Sequence, residues 1–360
     1  MTPNFRNSLL LILPLILLTY VPCGSYLASA CKAATQEQEA PKSSASQSPE
    51  LAKAAQQTPP NKSEKKASSA TQPALSPLIS AVELKALIES EDESVRVLEP
   101  ATEPKDFLKG HIPTARFLHW VTDMTDANKR ELYTNLSPVQ FGKLMNKLGI
   151  ENDSRIIIYD RLSSRLSTRL FWTLKYFGHE KVQVLDGGHK AWTSKFAQTI
   201  ETDETSDFKV SNYNVGDPIS KLLAEMAFVE KHLNDPKTKF IDGRPVDQFK
   251  GAVPGKVFHT DKRHSKNGHI PNAINIFWKD NFDENGKFKT STQLRELYQN
   301  AGIQSDQCVV TYCNEGLHAA PPWFVLTQLL GYENVKLYDS SLAEWANCEK
   351  PMDVTAEQEK

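Results

Sequence analysis

The chain has 360 residues, of which 39% are hydrophobic and 24% charged, enough to bury the cores of about two domains of ordinary size. Forty-two Lys and Arg residues against 44 Asp and Glu residues leave a net charge of −2. This balance supplies no large positive field, so we expect no nucleic-acid partner.

The first 30 residues predict an export signal. Residues 9–18 are almost wholly apolar, follow Arg6, and lead to small residues just before Cys31. Three outcomes stay open: a soluble periplasmic protein cleaved after Ala30, a bacterial lipoprotein with its lipid on Cys31, or an uncleaved anchor, since the apolar stretch approaches the roughly 20 residues that span a bilayer. Each places the body outside the cytoplasm, with membrane attachment only through the N-terminus.

Residues 31–76 predict a flexible linker. They are mainly Ala, Ser, Gln, Pro, Lys and Glu, with almost no aromatic or branched aliphatic side chain. Such a segment cannot bury enough apolar surface to offset the entropy of ordering, so we assign it no chemistry.

Beyond residue 76 the sequence carries one arrangement of elements twice. Each copy has a strand, a Gly-His-Ile-Pro turn, a buried strand, a helix and a last strand. In the first copy these are residues 95–98, 110–113, 155–159, 169–177 and 182–185. In the second copy they are residues 239–241, 268–271, 308–312, 323–330 and 335–338.

The two copies also share landmarks at a constant offset. Pairs of residues that lie 153 positions apart are Asp160 and Cys313, Gly178 and Gly331, and Trp192 and Trp345. Three matched pairs argue for duplication. Short aliphatic strands alternating with helices predict an α/β fold with two domains, each a mainly parallel sheet flanked by helices, over residues 77–205 and 220–351.

The loop that starts at Cys313 is the best candidate site. It joins the buried strand 308–312 to a helix beginning near residues 319–322, and ligands of parallel sheets bind beyond the carboxyl ends of the strands. Backbone N–H groups of such a loop can converge on its centre, and Gly316 permits a positive φ. We therefore expect an anion to be stabilised at Cys313 and the pKa of its thiol to be lowered.

The cysteines leave alternatives open. Cys313 could be an inert buried thiol. Cys308 lies roughly 16 Å away along an extended strand, at ~3.3 Å per residue, which is too far for a disulfide with Cys313. We expect Cys308 to pack in the core, and Cys348 to be free or paired with Cys308.

Several short motifs recur in a fixed order. In the second half they are Asp242-Gly243-Arg244, Gly268-His269-Ile270-Pro271-Asn272-Ala273, Thr311-Tyr312-Cys313-Asn314 with Gly316 and Ala319, and Leu337-Tyr338-Asp339 with Ser341 and Trp345. In the first half they are Gly110-His111-Ile112-Pro113, Tyr159-Asp160 and Leu185-Asp186-Gly187-Gly188. The second half resembles the catalytic domain of the rhodanese family, and residues 75–351 resemble its tandem-domain sulfurtransferases.

The resemblance implies that Cys313 is a catalytic nucleophile. It would take the outer sulfur of thiosulfate or 3-mercaptopyruvate, hold it as a persulfide, and pass it to a thiol or cyanide, without a metal or cofactor. The implied substrate-binding residues are Asn314, Glu315, Gly316, Leu317, His318 and Gln248. The residues with an implied structural role near the site are Asp242, Arg244 and Asp339.

Some positions depart from the family pattern. Gln248 stands where some members have a donor-binding Arg, which leaves the donor open. His318 could be a neutral loop residue, a proton donor or an anion contact, and we favour a role in lining the pocket. The run Lys262-Arg263-His264 could attract anions, although a solvated basic run is the simpler interpretation.

The first half looks non-catalytic. Asp160 occupies the place of Cys313, and Ala101 stands where the second half has Arg244. A carboxylate cannot carry sulfur, so we expect Asp160 to pack against the second domain and to form one wall of the cleft.

Two other functions compete with a sulfurtransferase. A cysteine phosphatase needs an Arg six residues after the cysteine, where this chain has Ala319, so we disfavour it. A persulfide carrier that does not turn over, or a redox-interaction module at the cell envelope, would use the same Cys313 loop and is the alternative hypothesis.

Overall fold

The computed structural model describes residues 75–126, 128–129, 134–197, 200–202, 209–256 and 264–355. The predicted export signal and the predicted linker up to residue 74 lie outside these ranges, as do Lys262 and Arg263. Within these ranges, no helix is both long and apolar enough to cross a membrane.

The first domain is built on a five-stranded sheet in the order β1-β5-β4-β2-β3, and its ladder pairs are parallel. Its strands are β1 (Leu78–Ile79), β2 (Val95–Ala101), β3 (Arg116–His119), β4 (Arg155–Ile158) and β5 (Val182–Leu185). Its helices are α1 (Ala81–Glu89), α2 (Pro104–Leu108), α3 (Trp120–Met124), α4 (Pro138–Lys147), α5 (Arg165–Tyr176) and α6 (Gly188–Phe196).

The second domain repeats this sheet in the order β6-β10-β9-β7-β8, again with parallel ladder pairs. Its strands are β6 (Leu223–Ala224), β7 (Thr238–Asp242), β8 (Ile274–Asn275), β9 (Cys308–Tyr312) and β10 (Val335–Tyr338). Its helices are α7 (Met226–His232), α8 (Val246–Lys250), α9 (Ser291–Asn300), α10 (Ala320–Phe324) and α11 (Ser341–Trp345). The predicted fold of two α/β domains with mainly parallel sheets is confirmed.

Helix starts are encoded locally and in the same way in both copies. Helix α4 begins at a capping box of Ser137 and Gln140, and α9 begins at a capping box of Thr290 and Gln293. In each box the hydroxyl accepts a backbone N–H of the first turn while the Gln side chain accepts the N–H of the capping residue. Ser137 and Thr290 lie 153 positions apart, like the landmarks that indicated duplication.

The two domains share one hydrophobic core. It joins the inner faces of both sheets to α5 and α10, where the Phe171 and Phe324 rings meet edge-on at 4.8 Å. These two residues are 153 positions apart, so equivalent positions of the two copies contact each other, as in an interface around a two-fold axis. The outer faces form separate clusters that contain the fully buried Trp192 and Trp345.

Polar contacts between the domains follow the same symmetry. The Phe288 N–H donates to the Asp186 carboxylate at 3.0 Å, and the Asn135 N–H donates to the Asp339 carboxylate at 2.6 Å. Both donors and both acceptors are related by the 153-residue offset. Each domain therefore anchors a carboxylate that follows the last strand of the other domain.

Two predicted helices differ from the observed ones. The helix predicted from residue 169 begins at Arg165, so its first turn follows directly on the Asp160 loop. The helix predicted over residues 323–330 is α10 followed by a π-helix at Val325–Leu329. Pro321 and Pro322 occupy the first turn of α10, where free N–H groups are not required.

Candidate active site

Cys313 lies at the carboxyl end of β9, the central strand of the second sheet. Its side chain is buried, with 1% of the residue exposed. The loop continues through Gly316, whose φ is +78° and whose added Cβ would lie 2.6 Å from the Asp339 carbonyl oxygen. The position therefore requires glycine for both its backbone conformation and its space.

Backbone amides of the loop surround the thiol. The His318 N–H donates to Cys313 Sγ at 3.2 Å, and the N–H groups of Glu315 and Ala319 also donate to this sulfur. The Ser341 hydroxyl accepts the N–H groups of Cys313 and Gly316, each at 3.1 Å. The loop thus forms a cradle of N–H groups around Sγ.

The predicted lowering of the thiol pKa is wrong. Burial, and then the nearby Glu315 carboxylate, raise the pKa of Cys313 to about 11, against the lowering effect of the three N–H donors. The loop amides alone would lower the pKa, but removal of water from the thiol and the neighbouring charge outweigh them. Around neutral pH the Cys313 thiol is therefore protonated in this structure.

Asn314 is fixed on both sides of its amide. Its Nδ2 donates to Gln248 Oε1 at 3.1 Å, and its Oδ1 contacts His264 Nε2 at 2.9 Å. An added Cβ on Gly255 would lie 2.5 Å from the His264 ring and 2.7 Å from Asn314 Oδ1, so glycine lets these groups meet. Gln248 is therefore a contact of the Cys313 loop.

His264 differs from the expected solvated basic run. It is buried, and burial lowers its pKa to about 4, which leaves the imidazole neutral around pH 7.

Asp242 and Arg244 form a buried ion pair behind the loop. Arg244 donates through Nε to Asp242 Oδ1 at 2.9 Å and through Nη2 to Oδ2 at 2.6 Å. The same Nη2 donates to the Gly268 carbonyl oxygen at 2.6 Å. Gly243 between them has no room for a side chain, since an added Cβ would lie 2.4 Å from the His318 carbonyl oxygen.

Asp339 connects the loop to the first domain. Its carboxylate forms an ion pair of 2.5 Å with Arg169 of α5, and both side chains are almost fully buried. Arg169 also stacks on Trp172, with its guanidinium carbon 4.8 Å from the ring centroid. Arg169 is not among the predicted site residues, because nothing near it in the sequence indicates a contact with the second domain.

His318 meets another arginine of the first domain. Its Nε2 lies 2.9 Å from Arg165 Nη1, and its ring stacks on Trp278 at 5.3 Å. A guanidinium can only donate, so Nε2 accepts and the neutral imidazole carries its proton on Nδ1. Burial and the Arg165 charge lower the pKa of His318 to about 3, so a positively charged His318 is not formed at neutral pH.

The structure also shows the positions of the remaining loop residue, Leu317, and of the other cysteines. Leu317 is buried in the shared core. Cys308 and Cys313 are free thiols, and Cys308 is half-buried. Cys348 is disulfide-bonded, so the expectation that Cys348 is either free or paired with Cys308 is wrong in both alternatives.

The family model described as the rhodanese-like domain matches this chain twice, over residues 80–195 and 225–348. The chain belongs to the rhodanese family. Each matched segment contains four of the five strands of one sheet and begins directly after the short strand β1 or β6.

Curated relatives align with this chain over most of their own length. The putative thiosulfate sulfurtransferase of Haloferax volcanii is 33% identical over 72% of this chain and 88% of its own length. The sulfur carrier protein TtuD of Thermus thermophilus is 33% identical over 71% of this chain and 90% of its own length. The chain is thus a sulfurtransferase.

A solved structure has the same architecture. SseA from Escherichia coli, described as a 3-mercaptopyruvate sulfotransferase with the rhodanese fold, matches with a TM-score of 0.64 at 25% identity. The match covers 74% of this chain and 99% of SseA.

The first rhodanese domain fills the equivalent loop with its own carboxylate. Asp160 Oδ1 accepts the N–H groups of Leu162 and Ser164, and Oδ2 accepts the N–H and hydroxyl of Ser167. Both oxygens are therefore bonded within the loop itself. Asp160 also lines a cavity together with Glu284, Asn285 and Gly286 of the second domain, in line with the expectation that it forms one wall between the domains. The domain contributes to the second site through Arg165 and Arg169 of the following helix.

Arg165 could have been found from the repeat. It lies 153 residues before His318, so the two residues occupy equivalent positions that meet between the domains. Trp278 gives no comparable signal, because its position beside His318 depends on the chain path after β8.

Proposed function

We propose that Cys313 carries a sulfane sulfur between a small donor and a thiophilic acceptor. The observation that carries the proposal is the cradle of three backbone N–H groups around Cys313 Sγ, at the carboxyl end of the central strand. These N–H groups would stabilise negative charge on a persulfide held at the same place.

Thiosulfate and 3-mercaptopyruvate are the proposed donors. With thiosulfate, Cys313 Sγ bonds to the outer sulfur, the bond between the two donor sulfurs breaks, and sulfite leaves with the electron pair and the thiol proton. With 3-mercaptopyruvate, the carbon–sulfur bond breaks and the thiol proton ends on carbon, which yields pyruvate. In both cases Cys313 becomes a persulfide.

The second step returns the enzyme to its starting state. Cyanide or a thiolate attacks the outer sulfur of the persulfide, which leaves with the acceptor as thiocyanate or a new persulfide. Cys313 recovers its electron pair and a proton. This is a ping-pong scheme in which each substrate reacts with the same sulfur position.

The first domain supports donor binding in this proposal. Arg165 interacts electrostatically with both Glu315 and Cys313, and its guanidinium lies over the Trp278 ring at 5.5 Å. Its charge is therefore held at the thiol, where it would attract an anionic donor and offset charge that develops on the leaving group.

A persulfide carrier is the second candidate function. It is favoured by the similarity to a protein named as a sulfur carrier and by the raised pKa of Cys313, which slows attack by the resting thiol. In that case the acceptor would be a thiol of a partner protein.

One assay separates the two candidates. The full chain is mixed with each donor plus cyanide, and thiocyanate is recorded over many equivalents of enzyme. The enzyme hypothesis predicts continued turnover that Cys313→Ser abolishes and Cys308→Ser retains. A single equivalent of persulfide on Cys313 without turnover supports the carrier, and no transfer to Cys313 from either donor contradicts both.

We also propose that the protein acts outside the cytoplasm. The support is the apolar run at residues 9–18 followed by small residues before Cys31. Mass spectrometry of the mature N-terminus tests this. Cleavage before Cys31 with lipid supports the lipoprotein, cleavage without lipid supports the soluble periplasmic form, and an intact N-terminus in cytoplasmic extract contradicts the proposal.

A further inference from the structure

The hydroxyl of Ser341 is bonded to the loop that surrounds Cys313. It accepts the N–H groups of Cys313 and Gly316, each at 3.1 Å, and donates to the Tyr338 carbonyl oxygen at 2.7 Å. A hydroxyl has one proton and two lone pairs, so these three bonds use its whole bonding capacity. Ser341 is fully buried, and water therefore cannot replace the bonds.

These bonds divide the N–H groups of the loop into two sets. Those of Cys313 and Gly316 donate to the hydroxyl, whereas those of Glu315, His318 and Ala319 donate to the sulfur. Without the hydroxyl, the first set would be buried and unpaired, and the loop would have to rotate its peptide planes to satisfy it. Such a rotation would also turn N–H groups of the second set away from the sulfur.

Ser341 adopts a backbone conformation that favours glycine. Its φ is +49°, and the equivalent residue of the first domain, 153 positions earlier, is Gly188 with a φ of +55°. In both domains the next residue donates its N–H to the carbonyl oxygen of the first loop residue, at 3.2 Å from Leu342 and at 3.0 Å from His189. Glycine is therefore sufficient for this backbone contact.

The two domains differ in what accepts the N–H groups of the loop. In the first domain the Asp160 carboxylate accepts them, and Gly188 has no hydroxyl to offer. An added Cβ on Gly188 would lie 2.4 Å from the Asp160 carbonyl oxygen, so no side chain fits there. The second domain instead keeps a strained serine beside its thiol. Strain of this kind persists where the side chain is required, and it is concentrated at active sites.

We propose that Ser341 is a positioning residue for sulfur transfer, whose hydroxyl holds the loop so that three N–H groups face the sulfur of Cys313. This role presupposes the proposed sulfur transfer through Cys313. The hydroxyl acts through the peptides of Cys313 and Gly316 and not through the donor. N–H groups stabilise charge on the thiolate and the persulfide best when they already point at the sulfur before the reaction.

Ser341→Gly tests the role, because it removes the hydroxyl and leaves a residue that suits the left-handed backbone. Persulfide formation on Cys313 is followed in a single turnover with a saturating donor, by mass spectrometry of the Cys313 peptide. We expect the rate constant to fall about tenfold, less than for loss of a direct N–H donor, while nearly every chain still ends as a persulfide. The Tm should fall by less than about 5 °C, because relief of the backbone strain offsets part of the lost hydrogen bonding.

Two further variants keep the test decisive. Ser341→Ala removes the same hydroxyl but retains the strain, so it should slow the transfer to a similar extent at lower stability. Ser340→Ala, one residue earlier, is the matched control and should keep the wild-type rate constant, because Ser340 has α-helical backbone angles and its hydroxyl does not cap the helix α11.

The outcomes that would overturn this role differ from those that would overturn the proposed function. A wild-type rate constant in a folded Ser341 variant would overturn the role. So would fewer reactive chains at an unchanged rate constant, or unfolding of Ser341→Gly, since either result makes the hydroxyl purely structural. No persulfide on wild-type Cys313 from either donor would instead overturn the proposed function.

Discussion

The loops that begin at Asp160 and Cys313 are two versions of one structure. Both follow the central strand of a five-stranded parallel sheet, and both direct backbone N–H groups toward the first side chain of the loop. In the first domain a carboxylate accepts these N–H groups permanently. In the second domain a thiol occupies the centre, where it can gain and lose a sulfur atom.

Each loop is also backed by an ion pair between an arginine and a carboxylate, and different residues form this pair in the two domains. In the second domain Arg244 pairs with Asp242 and donates to the Gly268 carbonyl oxygen. In the first domain Arg161 pairs with Glu99 at 2.6 Å and donates to the Gly110 carbonyl oxygen at 2.5 Å. An arginine bonded to a buried carboxylate and to a backbone carbonyl is thus kept in both copies, although Arg161 is 25% exposed and the arginines come from different loops.

The structural support of the loop and the chemistry of its first side chain are therefore separable. Ala101, which stands where Arg244 would be expected, does not leave the first domain without this support, because Arg161 supplies it. The first domain contributes instead through Arg165 and Arg169, which reach the loop of its partner domain.

Breaking the ion pairs behind the two loops should show the largest effect on stability. Arg244→Leu leaves Asp242 buried without its cation, and we expect the free energy of unfolding to fall by about 3–5 kcal/mol. Arg161→Leu should cost about half as much, because burial already raises the pKa of Glu99 and lets it take up a proton. Urea unfolding at pH 7 and pH 5 measures both.

The pH dependence of the stability loss supplies a control for the comparison of Arg161→Leu with Arg244→Leu. The loss caused by Arg161→Leu should shrink at pH 5, since protonation of Glu99 removes the buried charge. Arg295→Leu, at an exposed position, should change stability by less than about 0.5 kcal/mol. Equal losses for Arg161→Leu and Arg244→Leu at both pH values would contradict the comparison.

The reactivity of the Cys313 thiol should depend steeply on pH. Because burial and Glu315 raise its pKa to about 11, the thiolate fraction grows about tenfold per pH unit between pH 7 and pH 9. The rate of alkylation by iodoacetamide, read at the Cys313 peptide by mass spectrometry, should therefore rise about 100-fold. Glu315→Gln should move this profile to lower pH. A rate that is constant above pH 7 would contradict the raised pKa.

Asp160→Asn should destabilise the first domain. The substitution removes a charge that accepts three backbone N–H groups, and we expect a loss of about 1–3 kcal/mol. Cys313→Ala at the equivalent position should cost about 1 kcal/mol, since it removes one sulfur atom and leaves no buried charge. Thermal unfolding measures both, and a larger loss for Cys313→Ala would reverse the assignment of structural and chemical loops.

Arg165→Gln should weaken the use of the donor. It removes the first domain's charge next to Cys313, and we expect kcat/KM for thiosulfate to fall about tenfold with a smaller change for 3-mercaptopyruvate. Steady-state kinetics with both donors measures this. Lys175→Gln on the same helix, which pairs with Glu180 at the surface, is the control. Unchanged kinetics in Arg165→Gln would contradict a role of the first domain in donor binding.

Much of the fold could be predicted from sequence. The buried strands at 182–185, 308–312 and 335–338 have the predicted bounds, because a run of aliphatic residues between polar ones marks each of them. Strands β1, β6 and β8 have two residues each, too few to show a period. Their pairing depends on the neighbouring strands.

The candidate site was predictable along its own loop and, through the family resemblance, at Gln248, Asp242, Arg244 and Asp339. The position of Cys313 and the need for glycine at 316 follow from the strand, loop and helix sequence. Arg169 belongs to the other domain and could not be found locally. The predicted direction of the Cys313 pKa shift was wrong, because burial and the position of the Glu315 side chain are properties of the folded loop.

Mass spectrometry of Cys313 after exposure to a donor is the most direct measurement. The full chain is incubated with thiosulfate or 3-mercaptopyruvate without acceptor and then digested under non-reducing conditions. We predict the gain of one sulfur atom on the Cys313 peptide, none on the Cys308 peptide, and loss of that sulfur when cyanide is added. A Cys313 peptide that stays unmodified with both donors would contradict a sulfur-carrying role for this loop.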